Sequence, residues 1–578
     1  MQSAGRVFGR ALAVLGLILA AVPPAALSAA PADQAVAPVS DAAGNDWGTY
    51  GGNYFNQRYS SLNQINAGNV ANLKGVCVFH TTQNGVDPDL LNTSGFESSP
   101  IVIGGTMYLT GPQSQVWAID ATNCSLKWKY TPDLLGTRLL PICCGQVNRG
   151  VAVGGGRVYV AQLDAKLVAL DQNTGNVVWS TQVDDPRAGY AETMAPLYYN
   201  GRVYIGVSGA EYEIRGHFTA YDAATGNQVW RFYTIPGPGE FGHETWPQDT
   251  NAWMGGGGSV WQTPALDPDL GMIYITVGNN SPDVDGSVRA GDNLFSESMV
   301  ALDLNTGQRK WHFQQVHHDI WDLDTVSPNI LFDTTLNGRP VKGIGEAGKT
   351  GWVYLLDRSN GQPLIGVNET PVPQMELQKT APTQPVPVGD SFVPTMDASQ
   401  CNPPVAVGGQ MLQPHGAFYP FGVEPQLSCP GANGGSEWST SSYSPQTELF
   451  YTCGIHQPMV WTLEPDQLQR QQPVLRLGSV FAQAPNAQTY GTLTAIDVHT
   501  NKIRWQNRLD QMCVGGSSTT AGNLVFLGEA NGNFNAYNAQ TGQRLWSFQT
   551  GAGANAPPVS YTVGGTQYVA VASGGNRQ

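Results

Sequence analysis

"ALDQNTGNVVW", residues 169–179, is the stretch that decides the fold. A short apolar strand enters an Asp-Gln-Asn-Thr-Gly turn, and a second strand leaves it and ends on Trp179. Asp, Asn and Gly supply the local side-chain hydrogen bonds and the positive φ of a tight turn, so the phrase reads as a β-hairpin. It recurs as "AIDATNCSLKW" (118–128), "AYDAATGNQVW" (220–230), "ALDLNTGQRKW" (301–311), "AIDVHTNKIRW" (495–505) and "AYNAQTGQRLW" (536–546). A seventh copy, "YLLDRSNGQPL" (354–364), lacks the tryptophan.

Upstream of most copies lies another strand pair, such as "SPIVIGGTMYLTG" (99–111) or "GVAVGGGRVYVAQL" (150–163), which makes the repeat four strands long. Trp128, Trp179 and Trp230 stand 51 residues apart, and longer gaps hold insertions. Four strands at a period near 50 residues define a β-propeller, because each sheet alone leaves an apolar face that only a neighbouring blade can cover. A tryptophan fixed in each repeat suits that interface. The expected fold is all-β: an eight-bladed β-propeller. Its eighth blade is expected from "SSYSPQTELFYTCGIHQPMVWTL" (441–463), and its closure from pairing of "LKGVCVFH" (73–80) with "TQYVAVASGG" (566–575).

The N-terminus carries Arg6 and Arg10, an apolar run from Ala11 to Val22, Pro23 and Pro24, and small residues at 26–30. That layout is a cleaved secretory signal, since a membrane span needs about 20 apolar residues. The expected organisation is a signal peptide at 1–29, a linker at 30–45 and a single propeller domain at 46–578, in a periplasmic or secreted protein. The formal net charge of −15 argues against nucleic acid and anionic membrane partners and suits a basic protein partner.

Export permits disulfides among the eight cysteines. Cys401 and Cys429 flank a Pro/Gly-rich loop and are expected to pair; the even count leaves the other pairings open. Cys143 and Cys144 are adjacent, with Cα atoms about 3.8 Å apart, below the usual disulfide range. No C-x-x-C-H occurs, so covalent haem is not expected.

Three further stretches concentrate oxygen donors. Glu211 sits at a turn in "SGAEYEIRG" (208–216), Asn279 follows a strand in "VGNNSP" (277–282), and "HHDIWDLD" (317–324) packs three acids into six residues. Crowded carboxylates repel unless a cation or a proton is shared, and Glu, Asn and Asp oxygens suit a hard cation such as Ca²⁺.

Together with "CCGQVNRG" (143–150) and "GGGGSVWQTP" (255–264), these stretches resemble, in order and over the whole mature chain, the quinoprotein alcohol dehydrogenases that use pyrroloquinoline quinone (PQQ). The resemblance implies an enzyme oxidising an alcohol to an aldehyde or ketone by hydride transfer to the quinone. It implies Glu211, Asn279, Asp322 and Asp324 as ligands of one metal ion, Ca²⁺ or a lanthanide, and Asp322 as the general base. It implies quinone contacts from Glu97, Thr193, Ser208, Gly209 and Ala210, with Arg149 gripping a cofactor carboxylate. Trp261 is implied as the floor beneath the ring system, a Cys143–Cys144 disulfide as the opposite wall, and Lys349 as a cation at the reactive carbonyl.

Two departures from the family pattern, Cys513 in "QMCVGG" (511–516) and Glu437 in "GGSEWSTSSYSP" (434–445), are expected at the mouth of the site. They point away from methanol or ethanol and toward a larger or polymeric alcohol such as polyvinyl alcohol; Lys349 keeps a sugar substrate open. Electrons are expected to pass to a separate acceptor such as a soluble cytochrome c. A non-catalytic propeller scaffold would carry the tryptophan phrase without the acid–amide–acid set.

Overall fold

The computed structural model describes residues 42–84, 95–134, 141–464 and 475–574. The expected signal segment and most of the expected linker lie outside them. Among the described residues, no helix is long and apolar enough to cross a membrane.

Among the described residues, eight of the eleven sheets follow one another in sequence order around a ring. The first blade is Ile101–Ile103, Thr106–Thr110, Val116–Asp120 and Leu126–Tyr130, paired antiparallel. Four-stranded blades follow at 152–182, 197–233 and 265–314, a three-stranded one at 330–357, a four-stranded one at 442–509, and one at 517–549 whose four strands are joined by Tyr59–Ser60, paired parallel to Ser517–Thr520. A two-stranded sheet, Val559–Val563 with Thr566–Ala570, completes the set. Each neighbouring pair shares one apolar cluster, and the last cluster joins Val559 and Tyr561 to Val102, Met107 and Ile119 of the first blade.

The repeated phrase explains the stacking. In all six full copies the alanine pairs with the tryptophan across the hairpin and a β-bulge follows it, as at Ala169 opposite Trp179. The small side chain leaves room for the indole, and the bulge twists the outer strand. Each indole N–H then reaches the next blade and donates to the carbonyl of the residue after the turn's Asp or Asn: Trp128 to Gln172, Trp179 to Ala223, Trp230 to Leu304, Trp311 to Arg358 and Trp505 to Ala539, at 2.9–3.4 Å. The ring lies over the glycine of that turn: a Cβ on Gly175, Gly226, Gly307, Gly361 or Gly542 would fall 2.5–2.7 Å from the indole. Two turns test the rule by exception. The fifth blade offers no tryptophan, and the turn it faces carries Asn501, at φ 54°; the first blade's turn, met by Tyr561 instead of an indole, carries Cys124, at φ 61°, where the turns that receive an indole carry glycine.

Two expectations are corrected. Residues 441–463 are not a blade of their own. Ser442–Ser444 and Leu449–His456 are the first two strands of the sixth blade, whose outer pair is the 495–505 copy, while Met459–Leu463 leaves for an accessory sheet with Gln426–Ser428 and Ser479–Gln483. The eighth sheet is the C-terminal hairpin. Nor does "LKGVCVFH" form a strand with the C-terminus: it carries none, and its Val76 and Val78 are exposed. The ring closes instead on the same contacts used elsewhere. Trp546 donates to Leu73 O at 3.2 Å, and Tyr561 Oη donates to Ala121 O, the position after Asp120, at 2.7 Å. The Cys77–Cys124 disulfide fastens the N-terminal segment to the first blade.

Two glycine substitutions isolate the docking contact. Gly361 and Gly338 are both left-handed, at φ 77° and 75°, but a Cβ at Gly338 meets nothing within 4 Å. Gly338→Ala is expected to cost the left-handed penalty alone, about 1–2 kcal/mol. Gly361→Ala adds overpacking against Trp311, a further ~1–3 kcal/mol. Urea unfolding checks the difference; equal losses would remove the indole–glycine contact from the account.

Candidate functional site

The loops at one end of the ring converge on a cavity of about 570 Å³. Two kinds of position in the repeat supply it. Glu97, Arg149, Thr193 and Trp261 stand three or four residues before the first strands of blades one to four. Ser208 to Glu211, Asn279 and Lys349 follow the second strands of blades three, four and five, which end at Gly206, Val277 and Ala347. The propeller therefore gathers residues distant in sequence by placing them at equivalent points of successive blades.

Glu97, Cys143, Cys144, Arg149, Thr193, Ser208, Gly209, Glu211, Trp261, Asp322, Asp324 and Lys349 all line the cavity. Ala210 and Asn279 do not line it. Ala210 is buried, its N–H given to Ser259 Oγ at 3.0 Å, and the Asn279 amide donates to Asp283 Oδ1 at 2.5 Å. Of the two departures, Glu437 lines the cavity, whereas Cys513 is buried in a disulfide with Cys453. Cys401 pairs with Cys429 as the spacing predicts, and Cys143 pairs with Cys144.

Arg149 is fixed on every side. It pairs with Glu97 at 2.9 Å, donates to Thr193 Oγ1 at 3.0 Å, and lies over the rings of Trp261 and Trp438 at 4.7 and 5.4 Å. Thr193 in turn is bonded to Ser208 Oγ at 2.8 Å. Burial raises the Glu97 carboxyl and the Arg149 charge opposes it.

Opposite charges meet at Lys349, whose ammonium contacts Asp322 at 2.9 Å, Asp324 at 3.1 Å and Glu437 at 3.4 Å. Burial works against the lysine's charge, but Asp322 and Asp324 hold it well above the usual range. Burial, with Asp324 adding to it against the Lys349 charge, raises Asp322; burial, with Asp324 and Glu437 adding to it, brings Glu211 up to about 7. Asp322 sits at φ 62°, in a turn shaped by Asp319, which accepts from the N–H groups of Trp321 and Leu323 at 3.1 Å. Arg289, fully buried, ties this loop to the Asn279 loop by donating to Asp319 O, Pro282 O and Asp283 O.

Asp283 is the acid that the sequence reading missed. It is buried, lines the cavity and is pushed up by burial and by Glu211 and Asp324. Also missed is an apolar rim of Met459, Trp461, Leu475, Leu477 and Phe481, from the accessory sheet and the turn preceding its last strand. Asp283 directly follows the "VGNNSP" stretch and could have been flagged there, but the rim follows no repeat.

The residues fit a cation and a flat anionic ligand. Beyond the paired Glu97 and Arg149, the described residues that line the cavity include five carboxylates, from Glu211, Asp283, Asp322, Asp324 and Glu437, against the ammonium of Lys349. An oxygen-rich, electron-rich pocket of this kind suits a hard cation. Beside it, Arg149 Nε and Trp438 Nε1 are buried donors without a hydrogen-bond partner, as an acceptor group of a ligand would require. The Trp261 ring and the Cys143–Cys144 disulfide are flat and soft walls of the same cavity. The metal-ligand candidates are not drawn to one point: Asp322 and Asp324 meet on Lys349, Glu211 lies by the disulfide, and Asn279 bonds Asp283.

Comparison with known proteins agrees with this site. Residues 47–569 match the family model described as PQQ, glucose/ethanol/alcohol dehydrogenase, β-propeller domain. The quinohemoprotein alcohol dehydrogenase ADH IIB of Pseudomonas putida is 35% identical, over 96% of this chain and 77% of that protein. The 1-butanol dehydrogenase (cytochrome c) of Thauera butanivorans is 33% identical, over 93% of this chain and 75% of that protein. A solved structure of a europium-containing methanol dehydrogenase superposes with a TM-score of 0.75 and 29% identity, over 92% of this chain and 90% of that one. The ring and its acid-lined cavity are those of a quinone-dependent dehydrogenase acting on alcohols. The chain belongs to the PQQ-dependent quinoprotein alcohol dehydrogenase family.

Gly278 offers a test of the cavity wall, because a Cβ there would fall 2.4 Å from Asp324 Oδ2 and 3.0 Å from Trp261 Nε1. Gly278→Ala is expected to displace Asp324 and weaken Tb³⁺ binding by the apo-protein about tenfold or more. Sensitised Tb³⁺ luminescence reads the affinity; an unchanged value would place Asp324 outside the cation's reach.

Proposed function

We propose that the chain is an exported, metal-dependent member of its family. In this reading it oxidises an alcohol to an aldehyde or ketone and passes the electrons to a separate acceptor such as a soluble cytochrome c. The observation that carries the reading is the contact of Lys349 with Asp322 and Asp324 in the cavity walled by Trp261 and the disulfide. Glu211, Asn279, Asp322 and Asp324 are the residues proposed to hold the ion, Ca²⁺ or a lanthanide. The Asp322 and Asp324 pair adds anionic charge that favours a trivalent cation, and the europium in a related methanol dehydrogenase supports that choice.

When bound, the quinone supplies the hydride acceptor and the ion polarises it. The chain's own groups do the rest. Asp322 takes the hydroxyl proton of the alcohol as general base. The Lys349 ammonium, 2.9 Å from its carboxylate, opposes the rise that burial and Asp324 impose on Asp322 and presents positive charge where negative charge develops. Arg149, with Glu97 and Thr193 fixing it, orients the cofactor's edge; Trp261 and the disulfide exclude water from its faces. The formal charge of −15 suits a basic electron acceptor, and the butanol-oxidising relative carries cytochrome c in its name. The leader at 1–29 and one propeller domain at 46–578 complete the proposal.

Asp322→Asn is expected to lower kcat about 10²–10⁴-fold while quinone binding, read by absorbance, persists. Retained turnover would assign the base elsewhere. Asp324→Ala separates the ions: La³⁺-dependent turnover, followed with a dye over short alcohols, glucose and polyvinyl alcohol, should fall more than Ca²⁺-dependent turnover. An equal response to both ions would remove Asp324 from the metal set.

A further inference from the structure

The vicinal disulfide has a neighbour that the reaction does not explain. Cys143 Sγ, Cys144 Sγ and a Glu211 carboxylate oxygen lie within 4.8 Å of one another, and Cys144 is exposed. All three residues line the cavity, so a small reductant and an ion entering it reach the same point. We propose that the reduced Cys143–Cys144 pair and Glu211 form a second, redox-gated metal site, which takes a thiophilic cation such as Zn²⁺ or Cd²⁺.

The chemistry follows from the donor set. A dithiol reductant supplies two electrons and two protons: the Sγ–Sγ bond breaks, two thiols form, and the reductant closes to its own disulfide. Binding of the cation then expels both thiol protons and leaves two thiolates and one carboxylate as ligands. Zn–S and Zn–O bonds of about 2.3 and 2.1 Å place tetrahedral ligand atoms roughly 3.5–3.8 Å apart; the two sulfurs, bonded to each other while oxidised, separate to that distance once reduced, with the Glu211 oxygen already within 4.8 Å of both. Soft sulfur selects against the hard ions that the remaining carboxylates suit. Glu211 belongs to both donor sets, so a thiophilic ion held here withdraws a ligand from the hard-cation site and occupies the wall that faces the quinone. Reduction thereby converts a wall of the active site into an inhibitory trap. The inhibitory consequence rests on the proposed function, whereas the metal site itself is tested without quinone.

The full-length apo-protein is reduced with a dithiol, freed of it by anaerobic gel filtration, and titrated with Cd²⁺. The readouts are equilibrium dialysis and the ultraviolet thiolate-to-Cd²⁺ charge-transfer band. The expected result is one sulfur-bound equivalent in the reduced protein and none in the oxidised one. The band should vanish in Cys143→Ser/Cys144→Ser, which leaves the other exposed disulfide, Cys77–Cys124, as an internal control. Glu211→Gln, nearly isosteric, should weaken Cd²⁺ by at least about tenfold. Cys144→Ala provides a milder probe of the sulfur pair should the double variant fold poorly. A reduced wild type with no more sulfur-bound Cd²⁺ than the double-serine protein overturns the site, and full affinity in Glu211→Gln overturns the three-residue assignment.

Discussion

The indole of one blade seated on the turn glycine of the next is the interaction on which the rest depends. It joins three needs in one contact. The ring's apolar area is buried, its N–H is satisfied by a carbonyl that the neighbour's turn leaves free, and the left-handed glycine admits the ring to within contact distance. Because the turn belongs to the same phrase as the next tryptophan, each blade is both seat and plug. A chain of such contacts has no natural end, so it closes: Trp546 finds the Leu73 carbonyl and Tyr561 finds Ala121. A closed ring fixes the relative rotation of its blades, and with it the meeting point of the loops at its end.

That fixed geometry lets the protein hold an electrostatically costly site. Five carboxylates around one ammonium would repel in a flexible loop, and burial adds to the penalty, as the raised Glu211, Asp283 and Asp322 carboxyls record. Here the acids hang from separate blades and from loops clamped by Arg289 and Asp319, so they cannot relax apart. The unmet negative charge is what would favour a cation in the proposed site. Arg149, paired with Glu97 and locked by Thr193 and two indoles, keeps a buried Nε–H donor without a partner in the same site. The pocket is polar in a directed way, and a flat anionic ligand with a metal at one end matches it.

The propeller was legible because its defining contact is local in sequence: alanine, turn acid, turn glycine and tryptophan lie within eleven residues. The eighth sheet was not, because it lacks the phrase and replaces the indole with the Tyr561 hydroxyl. Residues 441–463 were misleading since their strands divide between a blade and an accessory sheet, a division with no periodic signal. In the site, Glu211, Asp322 and Lys349 stood in recognisable stretches, and the repeat explains why they meet. Asp283 was passed over beside Asn279, and Trp461 and Phe481 belong to an insertion whose place over the cavity only tertiary structure reveals. Cysteine pairing divided similarly: Cys401–Cys429 followed from loop spacing, whereas Cys77–Cys124 and Cys453–Cys513 bridge segments brought together by the ring.

The central claim is that one cavity, walled by Trp261 and the vicinal disulfide, binds the quinone together with a hard cation. Titration of the purified apo-protein with PQQ, in the presence of Ca²⁺ or La³⁺ and in the absence of both, tests it directly through quenching of tryptophan fluorescence and through recovered dye-linked turnover. The account predicts saturation at one quinone per chain, tight only with an ion present, and alcohol oxidation that appears in step with it. Absence of saturable binding under both ions, or binding indifferent to the ion, would contradict it.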